Sequence, residues 1–517
     1  MREEPTVVIG AGAGGLAAAI TLASEGRPVL VLDRMSRPGG KMRNVSVDGL
    51  PIPAGPTVLT MRWAFDALLE RAGLRLDDLV TIRRSDVLAR HAWTDGRRLD
   101  LYADVERSVD AIGEFAGAAD ARSYRDFVAE AQRIHGILLD THMRAQRPSF
   151  FGLMGRIGLR RFPDMMALRP YTSLTQALTQ RFRDPRLVQL LGRYATYTGS
   201  SPYTIPATLM LVSHVEREGV WRIEGGMAAL ADALRGAAER LGVRFQFDAD
   251  VARVEMHHSR AAAVRLRNGE RIRAADVVAC ADASAMGTLA PEAGVRTVSQ
   301  AKRSHSAITY CVRARTRFPL AHHTVFFSSD YEREFTELRA GRVPHEPTTY
   351  VCAPDRDDTG DWENDAPADG ERMLMLVNAP ANGDTNEYGK EAELCEQRMV
   401  TLLERCGMKT ELRTKAATTP NQFASMFPHT GGALYGRIND GPFAGFSRPG
   451  AATRIPNLAL AGGSCHPGPG VPMSTISGML AAEHLMAARA STRRSRPAAT
   501  FGGTSTASAT TAAMPSP

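Results

Sequence analysis

Gly10, Gly12 and Gly15 follow directly on the apolar run Val7-Val8-Ile9, a spacing that turns a strand sharply onto a phosphate group. Gly10 suits the tight turn, Gly12 lets the backbone approach a pyrophosphate with no β-carbon in between, and Gly15 lets the next helix pack closely on the strand. The helix N-terminus then faces the anion. Asp33 stands at the end of a second apolar run, Val29 to Leu32, where a carboxylate accepts hydrogen bonds from ribose hydroxyls. Together these residues point to a dinucleotide.

The residues that follow narrow the choice. Pro38-Gly39-Gly40-Lys41 offers a second close backbone approach, at Gly40 above all, and the Lys41 ammonium offsets pyrophosphate charge. A glycine pair and a cation just after the acidic residue resemble FAD enzymes of the glutathione-reductase type; plain NAD dehydrogenases lack them. Arg34 is counted with the cofactor residues. A 2′-phosphate partner, and hence NADP, or a plain solvated turn are its other readings.

The elements that position these groups are legible in outline. Leu16, Ile20 and Ala23 share one helical face, Gly26 closes the helix, and Val29 to Leu32 completes a β-α-β unit. Met227 to Leu241 has a second amphipathic helical pattern. Extended stretches follow, 244–256 and 263–278, and they include Asn268-Gly269, flanked by extended sequence, as a type I′ hairpin signal. In FAD proteins of this type the strand around Val251 contacts adenine through its backbone, and Val277 to Cys280 rejoins the parallel sheet. Near the end, Asn457 to Gly463 is a short strand finishing in glycines, and Val471-Pro472-Met473 opens a helix to about residue 490. Proline is well tolerated there, because its missing N–H would be unpaired anyway. The positive end of that helix suits the flavin ring edge, N1 and O2, where negative charge collects on reduction.

With these motifs in hand, the chain resembles bacterial carotenoid desaturases of the phytoene desaturase type. The resemblance rests on Val7 to Ile20, Pro38 to Lys41, Ala54-Gly55-Pro56-Thr57, Gly432 to Gly436 and Gly462 to Pro472, in that order, and spans residues from about 5 to 488. Phytoene desaturases proper continue the His-Pro-Gly stretch differently. Val471-Pro472-Met473-Ser474-Thr475, with Thr60-Met61-Arg62-Trp63 after the Gly-Pro-Thr loop, looks like the branch acting on hydroxyneurosporene or methoxyneurosporene, which introduces the 3,4 double bond of acyclic carotenoids. The family usually has Glu at Asp33 and Arg at Lys41. Both exchanges keep the charge, although Lys lacks the bidentate fork.

The resemblance implies an α/β, glutathione-reductase-type FAD domain with inserted substrate and helical regions. Residues 1–75, 220–295 and 425–490 would form the discontinuous FAD domain, 76–219 a helical membrane-facing lid, 296–424 the substrate domain, and 491–517 a disordered tail. Flavin N5 would take a hydride and a proton would leave the adjacent carbon, the protein's share being orientation and exclusion of water. His466 and Arg62 are the candidate catalytic residues. A structural loop histidine competes with the first, as it does for His429, and a place at the substrate entrance is the second's role. A bulky Met473 would limit how deeply a polyene end enters. An earlier-step phytoene desaturase, a redox-neutral polyene isomerase and a non-catalytic flavin-binding scaffold are the alternatives.

Composition bounds the rest. At 517 residues the chain is long enough for two or three domains, and 44% hydrophobic with 23% charged residues is ordinary for a folded water-soluble protein. Lys and Arg exceed Asp and Glu by 63 to 56, with no nucleic-acid motif to match. No apolar run reaches the ~20 residues of a membrane span, so a peripheral protein on the cytoplasmic side of the membrane is expected, taking an apolar carotenoid from lipid. Phe150 to Arg169, rich in large apolar residues and Arg, suits the headgroup layer. Six widely spaced cysteines signal neither disulfide nor zinc. His257-His258 and His322-His323 lack partners at ligand spacing, and no metal is expected. Oligomeric state is left open.

Overall fold

In the computed structural model, which describes residues 4–158, 162–364 and 367–494, five short parallel strands form the central sheet. Their order is Leu458–Leu460, Asp276–Ala279, Thr6–Ile9, Val29–Leu32 and Arg244–Gln246. Strands covered on both faces need apolar side chains, which is why the first four are apolar apart from Thr6 and Asp276 at two strand starts. Three distant stretches of chain therefore build one sheet. Its first helix, Ala13–Ser24, is buried on nearly every side rather than along one face, because it is sandwiched by the Gly226–Arg240 and Val471–Arg494 helices.

A second sheet has seven strands, in the order Lys409–Thr418, Ser306–Arg317, Glu371–Ala379, Thr349–Cys352, His323–Phe326, Val87–Ala92 and Arg98–Tyr102. The last two come from the region expected to be helical. They enter the sheet because Val87–Ala92 pairs in parallel with His323–Phe326. The sheet register places Thr309 opposite Leu376, Leu376 opposite Tyr350, and Tyr350 opposite Val325, so these four form one row across four strands. The helices of 105–218 pack over the apolar core that both sheets share.

A small three-stranded sheet, Val251–His257, Arg260–Leu266 and Arg271–Arg273, carries the expected hairpin. Gly269 takes φ +94° but Asn268 does not have a positive φ. A type I′ turn requires both, so the turn is of another type; the Asn268 side chain caps it by accepting from the Glu270 N–H at 2.9 Å. The tail beyond residue 494, like Arg160 and Arg161, lies outside the described residues.

Candidate active site

One cavity of about 1120 Å³ runs between the two sheets, and all twelve residues expected to hold the cofactor line it: Gly10, Gly12, Gly15, Asp33, Arg34, Gly40, Lys41, Val251, Gly463, Val471, Pro472 and Met473. The glycine loop is built as its spacing requires. A β-carbon on Gly15 would stand 1.8 Å from the Gly10 carbonyl oxygen, whereas one on Gly12 would meet nothing within 4 Å. Gly12 thus faces open space on the cavity wall. The Ala13–Ser24 helix has no side-chain cap, so its first N–H groups are left for a ligand. This is a cradle for a pyrophosphate.

Asp33 is buried at the strand end. Its two oxygens accept from the Ala11 N–H at 2.6 Å and the Met35 N–H at 2.8 Å. Burial raises its carboxyl above the usual range against those hydrogen bonds, and each oxygen keeps a further lone pair for a ribose hydroxyl. The second glycine loop docks on the first through Gly39 N–H to Ala11 O at 2.8 Å. Lys41 extends from it to the Leu434 carbonyl at 2.5 Å, over the Phe427 ring, and burial lowers its pKa. Arg34, also on the lining, is tied to its neighbours. It donates to the Ser425 carbonyl at 2.9 Å and pairs loosely with Asp250, a structural tie that leaves its 2′-phosphate reading without support.

Opposite, the Val471–Arg494 helix starts at the cavity, with Pro472 in its first turn, so Val471 and Met473 present N–H groups that no preceding turn can accept. Arg448, fully buried, ties this side together by donating to the carbonyls of Tyr435, Gly463 and Arg437. Burial pulls its pKa down to about 10.

Neither candidate catalytic residue reaches the cavity wall. Arg62 precedes the Trp63–Glu70 helix and is held by Asp66 at 3.1 Å and Asp77 at 2.5 Å. His466 is buried, bonded through Nε2 to the Ala145 carbonyl at 2.8 Å, with its ring 4.7 Å from that of His142. His142 is the one that lines the cavity, and burial followed by the neighbouring His466 lowers its pKa to about 3. His429 also lines it.

Beyond the cofactor residues the wall becomes apolar, with Leu138, Leu153, Leu209 and Val215 among its members, before opening at Phe150, Met166, Tyr171 and Phe443. Among the described residues eight large apolar side chains are exposed. Five of them, Phe150, Phe151, Met166, Tyr171 and Phe443, gather at this opening, with Phe151 82% and Tyr171 77% exposed. The floor is the seven-stranded sheet, and a polar group absent from the sequence motifs, Arg193, Tyr197, Glu216, His323 and Tyr350, sits on the same lining.

The cavity's ends decide between families: a dinucleotide cradle continuous with an apolar gallery. Residues 13–486 match the flavin-containing amine oxidoreductase family. A hydroxyneurosporene desaturase of Rubrivivax gelatinosus is 45% identical over 99% of both chains, and that of Cereibacter sphaeroides 40% identical over 94% of this chain and 98% of its own. The chain belongs to the flavin-containing amine oxidoreductases, in their carotenoid desaturase branch. It is an FAD-dependent oxidoreductase. This flavoprotein is also 31% identical to a 4,4′-diapolycopene oxygenase of Methylomonas sp. over 94% of this chain and 98% of that one. In fold it resembles an oxidoreductase from Methanosarcina mazei (TM-score 0.60, 17% identity, 92% of this chain and 99% of that one) and putrescine oxidase (TM-score 0.58, 15% identity, 94% and 99%).

Two groups of metal-type donors occur among the described residues of the flavoprotein, His322 with His323 and Cys352, and His135 with His214 and Glu218. The first corrects the expectation that His322-His323 lack a partner, since Cys352 arrives across the sheet. Both histidines use Nδ1 within the protein, His322 with the Arg356 carbonyl at 2.8 Å and His323 with the Tyr350 hydroxyl at 2.7 Å. Burial pushes the Cys352 thiol up to about 12, away from the thiolate a metal needs. Among the described residues no helix is long and apolar enough to cross a membrane.

Proposed function

We propose that the protein introduces the 3,4 double bond into acyclic carotenoids bearing a 1-hydroxy or 1-methoxy end, taking them from a lipid surface to which it binds peripherally. The observation that carries this reading is one continuous cavity, whose lining passes from a dinucleotide cradle through an apolar gallery to an exposed aromatic mouth. The 45% identity to a hydroxyneurosporene desaturase over both full lengths supports the substrate class. Scattered apolar side chains on a surface need no explanation, but five at one opening do.

In this reading the N–H groups at the start of the Ala13–Ser24 helix hold the pyrophosphate, and Asp33 holds the ribose. Lys41 and the start of the Val471–Arg494 helix favour negative charge on the ring. When bound, FAD supplies the acceptor for hydride. The apolar wall keeps water out and leaves an extended polyene one path past Met473, whose bulk sets how far the end can enter. Arg62 and His466 act as structural residues in this account, since both are held by partners behind the wall.

Anaerobic mixing of the holoenzyme with a 1-hydroxy carotenoid in vesicles tests the reading. Bleaching of the flavin together with a carotenoid spectrum shifted to longer wavelength is expected. An isomerase or a scaffold would leave the flavin oxidised.

A further inference from the structure

Arg448 is a buried charge without an ion-pair partner. Four of its five N–H groups donate to neutral acceptors: the carbonyls of Tyr435 at 3.0 Å, Gly463 at 3.1 Å and Arg437 at 2.6 Å, and the Asn439 amide oxygen at 3.4 Å. Among the described residues no carboxylate comes within ion-pair distance of it. The Cys465 thiol near it supplies no counter-charge, since burial pushes that group up to about 12 and keeps it neutral. A charge buried in this way is costly unless something offsets it.

Its position shows what could offset it. Tyr435 belongs to the Gly432–Gly436 stretch and Gly463 to the stretch leading into the Val471–Arg494 helix, so the guanidinium bridges two loops on the side of the cavity where that helix begins. The loops lie directly on one another: a β-carbon on Gly436 would stand 2.7 Å from the Ser464 β-carbon. The carbonyl of Pro449, next in the chain, accepts from the His466 N–H at 2.8 Å and fixes Arg448 against the same loop.

A second buried cation meets it there. Lys41 donates to the Leu434 carbonyl at 2.5 Å, one residue before Tyr435, and the charge on Arg448 helps to push its pKa down. The carboxylate that acts on both is Asp282, on the same lining. Two buried cations against one carboxylate leave positive charge uncompensated at the cavity wall.

We propose that Arg448 raises the reduction potential of the bound flavin through its field, without a hydrogen bond to the ring. The inference rests on the ring lying at the start of the Val471–Arg494 helix, as proposed above. Because main-chain carbonyls hold the guanidinium, its charge is fixed in place and needs no rearrangement as electrons arrive. Negative charge collects on the ring on reduction. A fixed cation in a dry site therefore favours the reduced form over the oxidised one, and by linkage that difference in affinity is the shift in potential. Loss of a hydride from the substrate to the flavin, with the proton leaving the adjacent carbon, becomes more favourable by the same amount.

The test measures the two-electron midpoint potential of purified holoenzyme by titration against a reference dye, without substrate, in wild type, Arg448→Gln, Arg448→Lys and Asp282→Asn, together with flavin content. Arg448→Gln keeps an amide that can donate to the carbonyls but loses the charge. It should move the balance towards oxidised flavin at least about tenfold, a fall of about 30 mV. Arg448→Lys keeps the charge and should stay within about twofold of wild type, about 9 mV. Asp282→Asn removes the offsetting carboxylate while its amide oxygen can still accept from the Ser284 N–H, and should raise the potential by at least about threefold, about 14 mV. An unchanged potential in Arg448→Gln, or an equal fall in Arg448→Gln and Arg448→Lys, overturns the inference. Flavin loss in Arg448→Gln with no shift in the flavin still bound would assign the charge to the pyrophosphate and overturns it too. Should Arg448→Gln not fold, an unchanged potential in Asp282→Asn overturns it. Failure of the function proposed above shows separately, as wild-type flavin that a carotenoid leaves oxidised.

Discussion

Gly478 lies directly against Gly14 where two helices cross: a β-carbon on Gly478 would come within 2.1 Å of the Gly14 carbonyl oxygen. Both helices begin at the cavity, so this contact sets the distance between the two N-termini that face the cofactor. Gly478→Ala must push them apart. It should destabilise the fold by about 1–3 kcal/mol, as overpacking does, and yield protein with reduced flavin content. Thermal unfolding and the flavin-to-protein absorbance ratio check this, and unchanged values would contradict the crossing.

Gly12 and Gly15 should separate binding from folding. A side chain at Gly12 meets no protein atom, so Gly12→Val should stay folded and purify without flavin. Gly15→Ala strikes the Gly10 carbonyl and should cost stability first. A folded Gly12→Val protein with full flavin would contradict the cradle.

The glycine loops, Asp33, Lys41 and the Val471 helix were legible in the sequence because each motif is local: a few neighbouring residues fix a turn, a helix start and the atoms presented there. Residues 87–102 were not: Val87–Ala92 and Arg98–Tyr102 form a local hairpin, but it joins the large sheet through pairing of Val87–Ala92 with His323–Phe326, more than 200 positions away. The polar cluster was hidden for the same reason. Arg193, Glu216, His323 and Tyr350 come from four elements, and no spacing joins them. His466 and Arg62 stood inside strong motifs, but side-chain direction decides function, and each turns to partners off the cavity.

Glu334 should give the protein a measurable pH response. Burial raises its carboxyl from 4.5 to about 7, against hydrogen bonds from Thr348, Asn378 and Ser328. Because the folded value is the higher one, the stabilisation is complete below about pH 4.5 and is lost as pH rises through about 7. The shift corresponds to about 3 kcal/mol. Glu334→Gln removes the ionisation, so its melting temperature should exceed wild type at about pH 8 and the gap should close towards about pH 5. Parallel pH profiles would contradict this.

Membrane binding should depend on the aromatic mouth more than on the arginines beside it. Arg156 donates to the carbonyls of Thr141 and Gln146, whereas Phe151 and Phe443 are exposed and have no such tie. Each inserted aromatic is worth about 1.5–3 kcal/mol. Phe151→Ser/Phe443→Ser should weaken vesicle binding at least about tenfold, with little dependence on salt. Vesicle co-sedimentation across salt concentrations checks this; full binding by the double variant would point to another surface.

Substrate choice tests the account most directly. Purified holoenzyme is incubated with phytoene and, separately, with 1-hydroxyneurosporene in the same vesicles, and the products are read by absorption. The account predicts one added double bond in 1-hydroxyneurosporene and little change in phytoene. Efficient multi-step conversion of phytoene, with the hydroxylated carotenoid untouched, would contradict it.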